Sequence, residues 1–446
     1  MNTENNINAD LLIHAKWIIP VAPQGAVLED HCIAIRDKKI VAICPSDVGS
    51  ETISAQQITR LGSHALIPGL VNAHGHAAMS LFRGIADDIP LEQWLEKKIW
   101  PLESKFVSES FVQQGTTLAI AEMIRSGTTC FADMYFYPDI VAKSVIEARL
   151  RAQLASPVLD FPTVWAQDAD EYISKATNLH DDYRHSELVY TAFGPHAPYT
   201  VSDAPLQKLS MLAEELGIPV HMHVHETAQE VADAIKNDGR RPLQRLADLG
   251  LINPGLVCVH ATQLNSTEMK LLAEHGAHVV HCPESNMKLA SGFCEVSELL
   301  EHGVNVALGT DGCASNNDLD MFSEMRTAAL LAKVVADNAS ALPAQQALEM
   351  ATINGAKALG MEELIGTLEP GKFADITAVN LDSLNSMPVY NPLSQLVYST
   401  QASQVSHVWC GGELLLLEGE LQTLDRDLIK VTSYEWQQQL EAAQKA

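Results

Sequence analysis

The sequence is short of positive charge. Its 29 Lys and Arg stand against 56 Asp and Glu, giving a formal net charge of −27. Such a surface repels phosphate backbones, which argues against binding to long nucleic acid but not against a small nucleotide fragment in a closed pocket. Cysteines at metal or redox spacing are also missing. The eight present (Cys32, Cys44, Cys130, Cys258, Cys282, Cys294, Cys313 and Cys410) are scattered, and none forms C-x-x-C. That removes zinc ribbons and thioredoxin-type motifs and leaves reduced, mostly buried thiols as the expectation. No apolar run approaches the ~18 residues of a membrane span. No G-x-G-x-x-G or G-x-x-x-x-G-K-[ST] follows an apolar run, so no phosphate loop is indicated. The opening "MNTENNINAD" is polar and acidic; no signal peptide is expected there, and a cytoplasmic location without membrane attachment is the expectation.

What is present is globular. The chain is 47% hydrophobic and 19% charged over 446 residues, enough for one large domain and a smaller one. Eight short runs rich in Val, Thr and aromatics recur, most of them bounded by Gly or Pro. They lie near 64–73, 128–136, 151–160, 187–195, 219–226, 255–262, 277–283 and 305–312, and they read as strands. Helix signals separate them. Ser108 reads as an N-cap for a helix closing at Gly127, Ser202 opens one closed by Gly217, and another runs from Ser266 to Gly276. Strands alternating with helices predict an α/β fold, a (β/α)8 TIM-type barrel over 67–366, with functional groups at the carboxyl ends of the strands. Residues 1–66 and 367–446 read as short strands with turns, which predicts a small β-sandwich domain formed from both termini. The closing "WQQQLEAAQKA" reads as a short surface helix.

Polar residues gather at the predicted strand ends. Strand 1 is followed by His74 and His76, strand 4 by His196, strand 6 by His260 and strand 8 by Asp311, and strand 7 contains His281. Strand 5 is "VHMHVHET", with His221, His223, His225 and then Glu226. A lone histidine in a barrel is more often a core or surface residue than a ligand, but several strand ends bearing His or Asp point to one site. Three His and one carboxylate suit a divalent ion such as zinc with an open position for water. Side chains alternate along a strand, so residues 221, 223 and 225 are expected on one face. Height along the barrel favours His223 over His225 as the ligand and leaves His221 lower, in the packed interior.

Several motifs combine here: "NAHGH", "LFRGIADDIPLEQWLEKKIWPLE", "GPHAPYT", H-x-x-E on strand 5, "HCPESNMKLASG", "LGTDGCASNNDLDMF" and "GTLEPGKFADI". Together they resemble the amidohydrolase superfamily and, within it, the 5′-methylthioadenosine/S-adenosylhomocysteine deaminases. The resemblance implies a (β/α)8 barrel and hydrolytic deamination of an adenosine-type nucleoside. It implies His74, His76, His223 and Asp311 as ligands of one divalent ion per subunit, with zinc the leading identity and iron or manganese also compatible. Glu226 is then the acid that protonates the purine ring, His260 bonds the attacking hydroxide, and Asp311 passes a proton to the leaving amine. Glu103 holds the ribose hydroxyls, His196 lies near the ribose, and Trp94 packs on the nucleoside or simply in the core. Two-metal relatives carry a bridging lysine on a middle strand; strand 4, "LVYTAFGPH", has none. Zinc enzymes of the cytidine-deaminase type carry H-x-E…P-C-x-x-C, also absent. Residues 152–174 contain no Lys or Arg to bind the carboxylate of S-adenosylhomocysteine, whereas Phe161, Pro162 and Trp165 offer apolar surface, so 5′-methylthioadenosine is the expected substrate. A guanine- or triazine-type aminohydrolase and a non-catalytic barrel scaffold are the alternatives. Homo-oligomers are common in families of this kind.

Overall fold

The eight expected barrel strands all form in the computed structural model, which describes residues 7–445. They are β1 (Leu70–Asn72), β2 (Thr128–Asp133), β3 (Arg151–Val158), β4 (Val189–Pro195), β5 (Val220–Val224), β6 (Leu256–His260), β7 (His278–His281) and β8 (Asn305–Leu308). Each pairs in parallel with the next along the chain. The ring closes where Ala73 N–H donates to Leu308 O at 2.9 Å and Asp311 N–H to His74 O at 3.0 Å. Helices cover the outer faces, so most strand positions are buried, which is why the strands read as unbroken apolar runs.

Closure requires glycine at two close approaches. A Cβ at Gly69 would sit 2.0 Å from Thr129 Oγ1, and one at Gly309 would sit 2.7 Å from His74 N. Gly309 therefore lets the end of β8 meet the loop after β1. Asn72 fastens the same junction: its Oδ1 accepts from Thr310 N at 3.0 Å and its Nδ2 donates to Thr310 Oγ1 at 2.8 Å.

The helix caps are nearly as read. Ser108 Oγ accepts from Phe111 N at the start of helix Glu109–Arg125, and Gly217 closes helix Asp203–Leu216 in the left-handed region. Helix Ser266–Glu274 opens at Ser266 as expected, with Asn265 as its N-cap and Asn265 and Glu268 forming a reciprocal capping box.

Both termini build the second domain. Ile7–Ile18 pairs with Leu28–Arg36 and, in parallel, with Ile53–Pro68, and Ile376–Asn380 from the far end of the chain adds to Ile53–Pro68. The hydrogen-bond ladder joins eight strands in one mixed sheet. Leu11, Ile13, Ile33, Leu66, Ile376 and Trp409 share its core. A buried ion pair ties this domain to the base of the barrel: Arg151 of β3 meets Asp375, with Nε to Oδ2 at 3.2 Å and Nη2 to Oδ1 at 3.3 Å.

The C-terminal helix differs from expectation. It spans Arg426–Lys445 and packs on Glu109–Arg125 of the barrel. Trp436 and Leu440 are buried; Trp436 Nε1 donates to Gln114 Oε1 at 2.7 Å, and its ring meets Phe111. Residues 429, 433, 436 and 440 repeat at helical spacing, so the packed stripe begins at Ile429, ahead of the expected surface helix at Trp436.

Candidate metal centre and active site

Four of the expected residues converge at the mouth of the barrel. His74 Nε2 lies 3.2 Å from His223 Nε2 and 3.4 Å from Asp311 Oδ1, and His76 Nε2 lies 3.2 Å from Asp311 Oδ1. Two overlapping sets of ligand atoms lie within 4.8 Å of one another: His74, His76 and Asp311, and His74, His223 and His260. His260 therefore faces the same space as the four, its ring stacked on that of His223 at 5.4 Å.

The other side of each ring is held. His76 Nδ1 donates to Met134 O at 2.7 Å and His223 Nδ1 to His196 O at 2.8 Å. Both rings thus present Nε2 inward, the arrangement of a ligating imidazole with a fixed outer partner. His74 Nδ1 lies 2.9 Å from His221 Nε2. Asp311 Oδ2 accepts from Ser285 Oγ at 2.7 Å and Ser315 Oγ at 3.0 Å, and Oδ1 from Gly312 N at 2.8 Å.

The electrostatics suit a cation. Burial would raise Asp311, but its hydrogen bonds to His74 and His76 hold it well below the usual carboxylate range. Burial would lower His76, but hydrogen bonding to Asp311 pushes it up to about 9: a proton collects where positive charge is favoured. Burial drops His74 to about 4 and His223 well below its usual value, which keeps their lone pairs available. An ionised carboxylate with converging imidazole nitrogens is the donor set of a divalent zinc-type ion.

One expectation about strand 5 fails. β5 ends at Val224, and His225 has φ 56°. The alternation stops there, so His225 does not share the face of His221 and His223. Its Nε2 accepts from Leu243 N at 3.2 Å and its Nδ1 lies 3.7 Å from Glu268, outside the ligand cluster. Glu230 shapes this turn by accepting from His225 N at 3.1 Å and Glu226 N at 2.7 Å. Glu226 then turns toward the site, with Oε2 3.9 Å from His260 Nε2. Burial raises Glu226 from its ordinary value. His260 Nδ1 is fixed by Asn286 Oδ1 at 2.8 Å.

A cavity of about 540 Å³ opens over these groups, a size typical of small-molecule sites. Trp94, Glu103, His196, Glu226, His260 and Asp311 all line it. Trp94 is buried, so it is both core and cavity wall. His196 Nδ1 pairs with Thr200 Oγ1 at 3.0 Å, so its ring faces the cavity while its carbonyl orients His223. Glu103 is raised to about 7 by burial, partly offset by the Tyr135 hydroxyl, which donates to its Oε1 at 2.7 Å. Phe161 and Pro162 line the wall as expected, but Trp165 does not; it packs on Tyr172 with Lys175 over its ring. Tyr135, Glu230, Ser285, Asn286 and Ser315 were not singled out from the sequence, although Ser285, Asn286 and Ser315 fall inside the quoted motifs.

Known proteins are similar to this chain in sequence and fold. The family model described as "Amidohydrolase family" matches residues 65–415. A protein of Saccharophagus degradans named 5-methylthioadenosine/S-adenosylhomocysteine deaminase is 52% identical over 438 residues, covering 98% of each chain. The crystal structure of an adenosine deaminase from Xanthomonas campestris with bound zinc superposes with TM-score 0.97 at 48% identity, covering 98% of this chain and 99% of that one. A triazine hydrolase variant superposes with TM-score 0.89 at 23% identity, covering 96% and 99%, a likeness of fold alone. With its motifs, barrel and matched length in agreement, the chain belongs to the amidohydrolase family.

Proposed function

We propose that the protein deaminates an adenosine-type nucleoside hydrolytically, with 5′-methylthioadenosine the preferred substrate and 5′-methylthioinosine and ammonia the products. The observation that carries this reading is the placement of Glu226: a buried carboxyl, raised in pKa, shares one cavity with the His/Asp cluster and with Glu103. In this reading His74, His76, His223 and Asp311 would hold one zinc ion per subunit. A bound zinc ion lowers the pKa of water from 15.7 to about 7 and so supplies hydroxide at neutral pH.

The chain's own residues do the rest. Burial raises the Glu226 carboxyl, which favours its acid form, and in that form it can deliver a proton to the purine ring nitrogen as attack at C6 moves electrons there. His260, fixed by Asn286, points Nε2 toward the attacking oxygen rather than completing the ligand set; its 3.9 Å separation from Glu226 puts both beside the reacting atoms. Asp311, held by Ser285 and Ser315, takes the proton of the hydroxide once it has added to C6 and passes it to the departing amine, which leaves as ammonia. Glu103 and His196 bind the ribose, and Trp94 walls the nucleoside. A cytoplasmic location belongs to the same reading; among the described residues no helix is long and apolar enough to cross a membrane.

The 5′ tail supports the choice of substrate. A second cavity of about 830 Å³ adjoins the first across Leu95, Trp100, Phe161 and Tyr199. Its arginines are occupied. Arg245 donates to Asp203 at 2.7 Å and to Val201 O at 2.9 Å, and Arg240 pairs with Asp248 at 2.7 Å. Asp160, Glu230, Asp233 and Asp238 line the same space. A methylthio tail tolerates this environment, and a free carboxylate is repelled by it.

Ammonia release by the zinc-loaded enzyme from 5′-methylthioadenosine, S-adenosylhomocysteine, adenosine and guanine tests the reading, with Glu226→Gln as control. Release from 5′-methylthioadenosine that Glu226→Gln abolishes is the expected result. Release from guanine alone would refute it.

A further inference from the structure

The carboxylate assigned to the ribose sits on a short helix, Trp100–Phe106. The segment roofing the cavity runs as a helical turn Leu91–Trp94, a π-turn Leu95–Ile99 and a helix Trp100–Phe106. Leu102 and Phe106 pack against the core, but no residue of Trp100–Phe106 is fully buried. This packing sets the helix and leaves the orientation of the Glu103 carboxylate to its own hydrogen bonds. Among the described residues, the hydrogen bond to its side chain comes from Tyr135, whose hydroxyl donates to Oε1 at 2.7 Å.

Tyr135 itself is anchored. It is buried, packs on Phe136 at 5.3 Å and faces the His76 ring at 6.4 Å. The two residues before it hold the H-x-H loop. Asp133 Oδ1 accepts from Ala77 N at 2.6 Å, Met134 N donates to Gly75 O at 3.0 Å, and Met134 O accepts from His76 Nδ1. Residues 133–135 thus connect the metal-side loop to the sugar-side carboxylate.

We propose that Tyr135 is a positioning residue for riboside recognition: it occupies Oε1 of Glu103 so that Oε2 is aimed at the sugar hydroxyls at a fixed distance from His76. The proposal rests on the nucleoside reading above. Burial and the neighbouring Glu103 carboxylate hold the phenol well above its usual range, so it remains a donor throughout the working pH range. The carboxylate of an unanchored Glu103 would rotate freely, and ordering it on each binding event would weaken binding without touching the chemistry at C6.

The test compares adenosine with 2′,3′-dideoxyadenosine, which differ only in the hydroxyls concerned, using the zinc-loaded full-length protein. Tyr135→Phe is expected to lower kcat/KM for adenosine about tenfold, the effect of one lost hydrogen bond to a charged group. The loss should fall in KM, with kcat within about twofold. The same variant should leave 2′,3′-dideoxyadenosine within about twofold, and Tyr135→Phe/Glu103→Gln should be no worse on adenosine than Glu103→Gln alone. Equal losses on both nucleosides, or multiplicative losses in the double variant, would overturn the proposal while leaving the nucleoside reading intact. Wild-type protein that deaminates neither compound, nor 5′-methylthioadenosine, would overturn the nucleoside reading itself.

Discussion

Replacing His221 should weaken metal binding although it is outside the proposed ligand set. His221 Nε2 lies 2.9 Å from His74 Nδ1, and both side chains are fully buried. When His74 Nε2 binds a cation, Nδ1 carries the proton and donates to His221, and the ion's charge strengthens that bond. His221→Leu keeps most of the volume and removes the acceptor. A buried N–H left without a partner costs about 1–3 kcal/mol. Outer partners of ligating histidines are worth about 10- to 100-fold in metal affinity, or about 1.4–2.8 kcal/mol, so the two estimates agree. Zinc affinity measured by chelator competition on the metal-stripped protein should therefore drop by about 10- to 100-fold. His225→Leu is the matched control. It breaks the hydrogen bond from Leu243 N and should lower stability by about 1–3 kcal/mol, with zinc affinity within about twofold of wild type. If His221→Leu keeps wild-type affinity, or if His225→Leu loses it, the placement of the strand-5 histidines is wrong and that of Glu226 goes with it.

Three other consequences are open to measurement. Glu103 lies near 7 because of burial; as pH falls through that value it gains a proton and loses acceptor capacity, so kcat/KM for a riboside should decline on the acid side, and an identical decline for 2′,3′-dideoxyadenosine would contradict this. Asp375→Asn leaves buried Arg151 without its counter-charge, and removing one partner of a buried pair costs about 3–5 kcal/mol; urea unfolding that shows a loss below about 1 kcal/mol would show that the pair does not hold the domains together. S-Adenosylhomocysteine should have at least about fivefold lower kcat/KM than 5′-methylthioadenosine, with the gap narrowing as salt screens the acidic chamber, and an equal or higher value would sink the tail argument.

The barrel was legible because strands buried on both faces are written as apolar runs, and closure needed glycine where Gly69 and Gly309 stand. The converging residues were legible because chemistry in this fold gathers at strand ends. What escaped was set by loops. Tyr135 lies two residues beyond β2 and Ser315 four beyond Asp311, where no periodicity reports direction. Trp165 is apolar and follows β3, which suggests a pocket wall; the loop turns it onto Tyr172 instead. The two arginines of the outer cavity come from the segment after β5, far in sequence from the stretch whose lack of cations drew attention, and their ion pairs with aspartates could not be read from spacing.

The failure of the period-two rule at His225 has a common cause with the success of the site. Left-handed φ values occur at His225 (56°), His260 (72°), Ala261 (49°) and Asp311 (61°), at the ends of β5, β6 and β8. None is glycine, so each backbone is strained by about 1–3 kcal/mol. Three of them are held through their backbone N–H groups: His225 N by Glu230, Ala261 N by Val224 O, and Asp311 N by His74 O. A strand that continued in regular alternation would send residue 225 inward and residue 226 out into the covering helices. The reversal at His225 puts a structural histidine outside and brings Glu226 back over the metal ligands. A side chain at these positions has a direction set by the fold as a whole, so the residue type can be read from the sequence one strand at a time, and its target cannot.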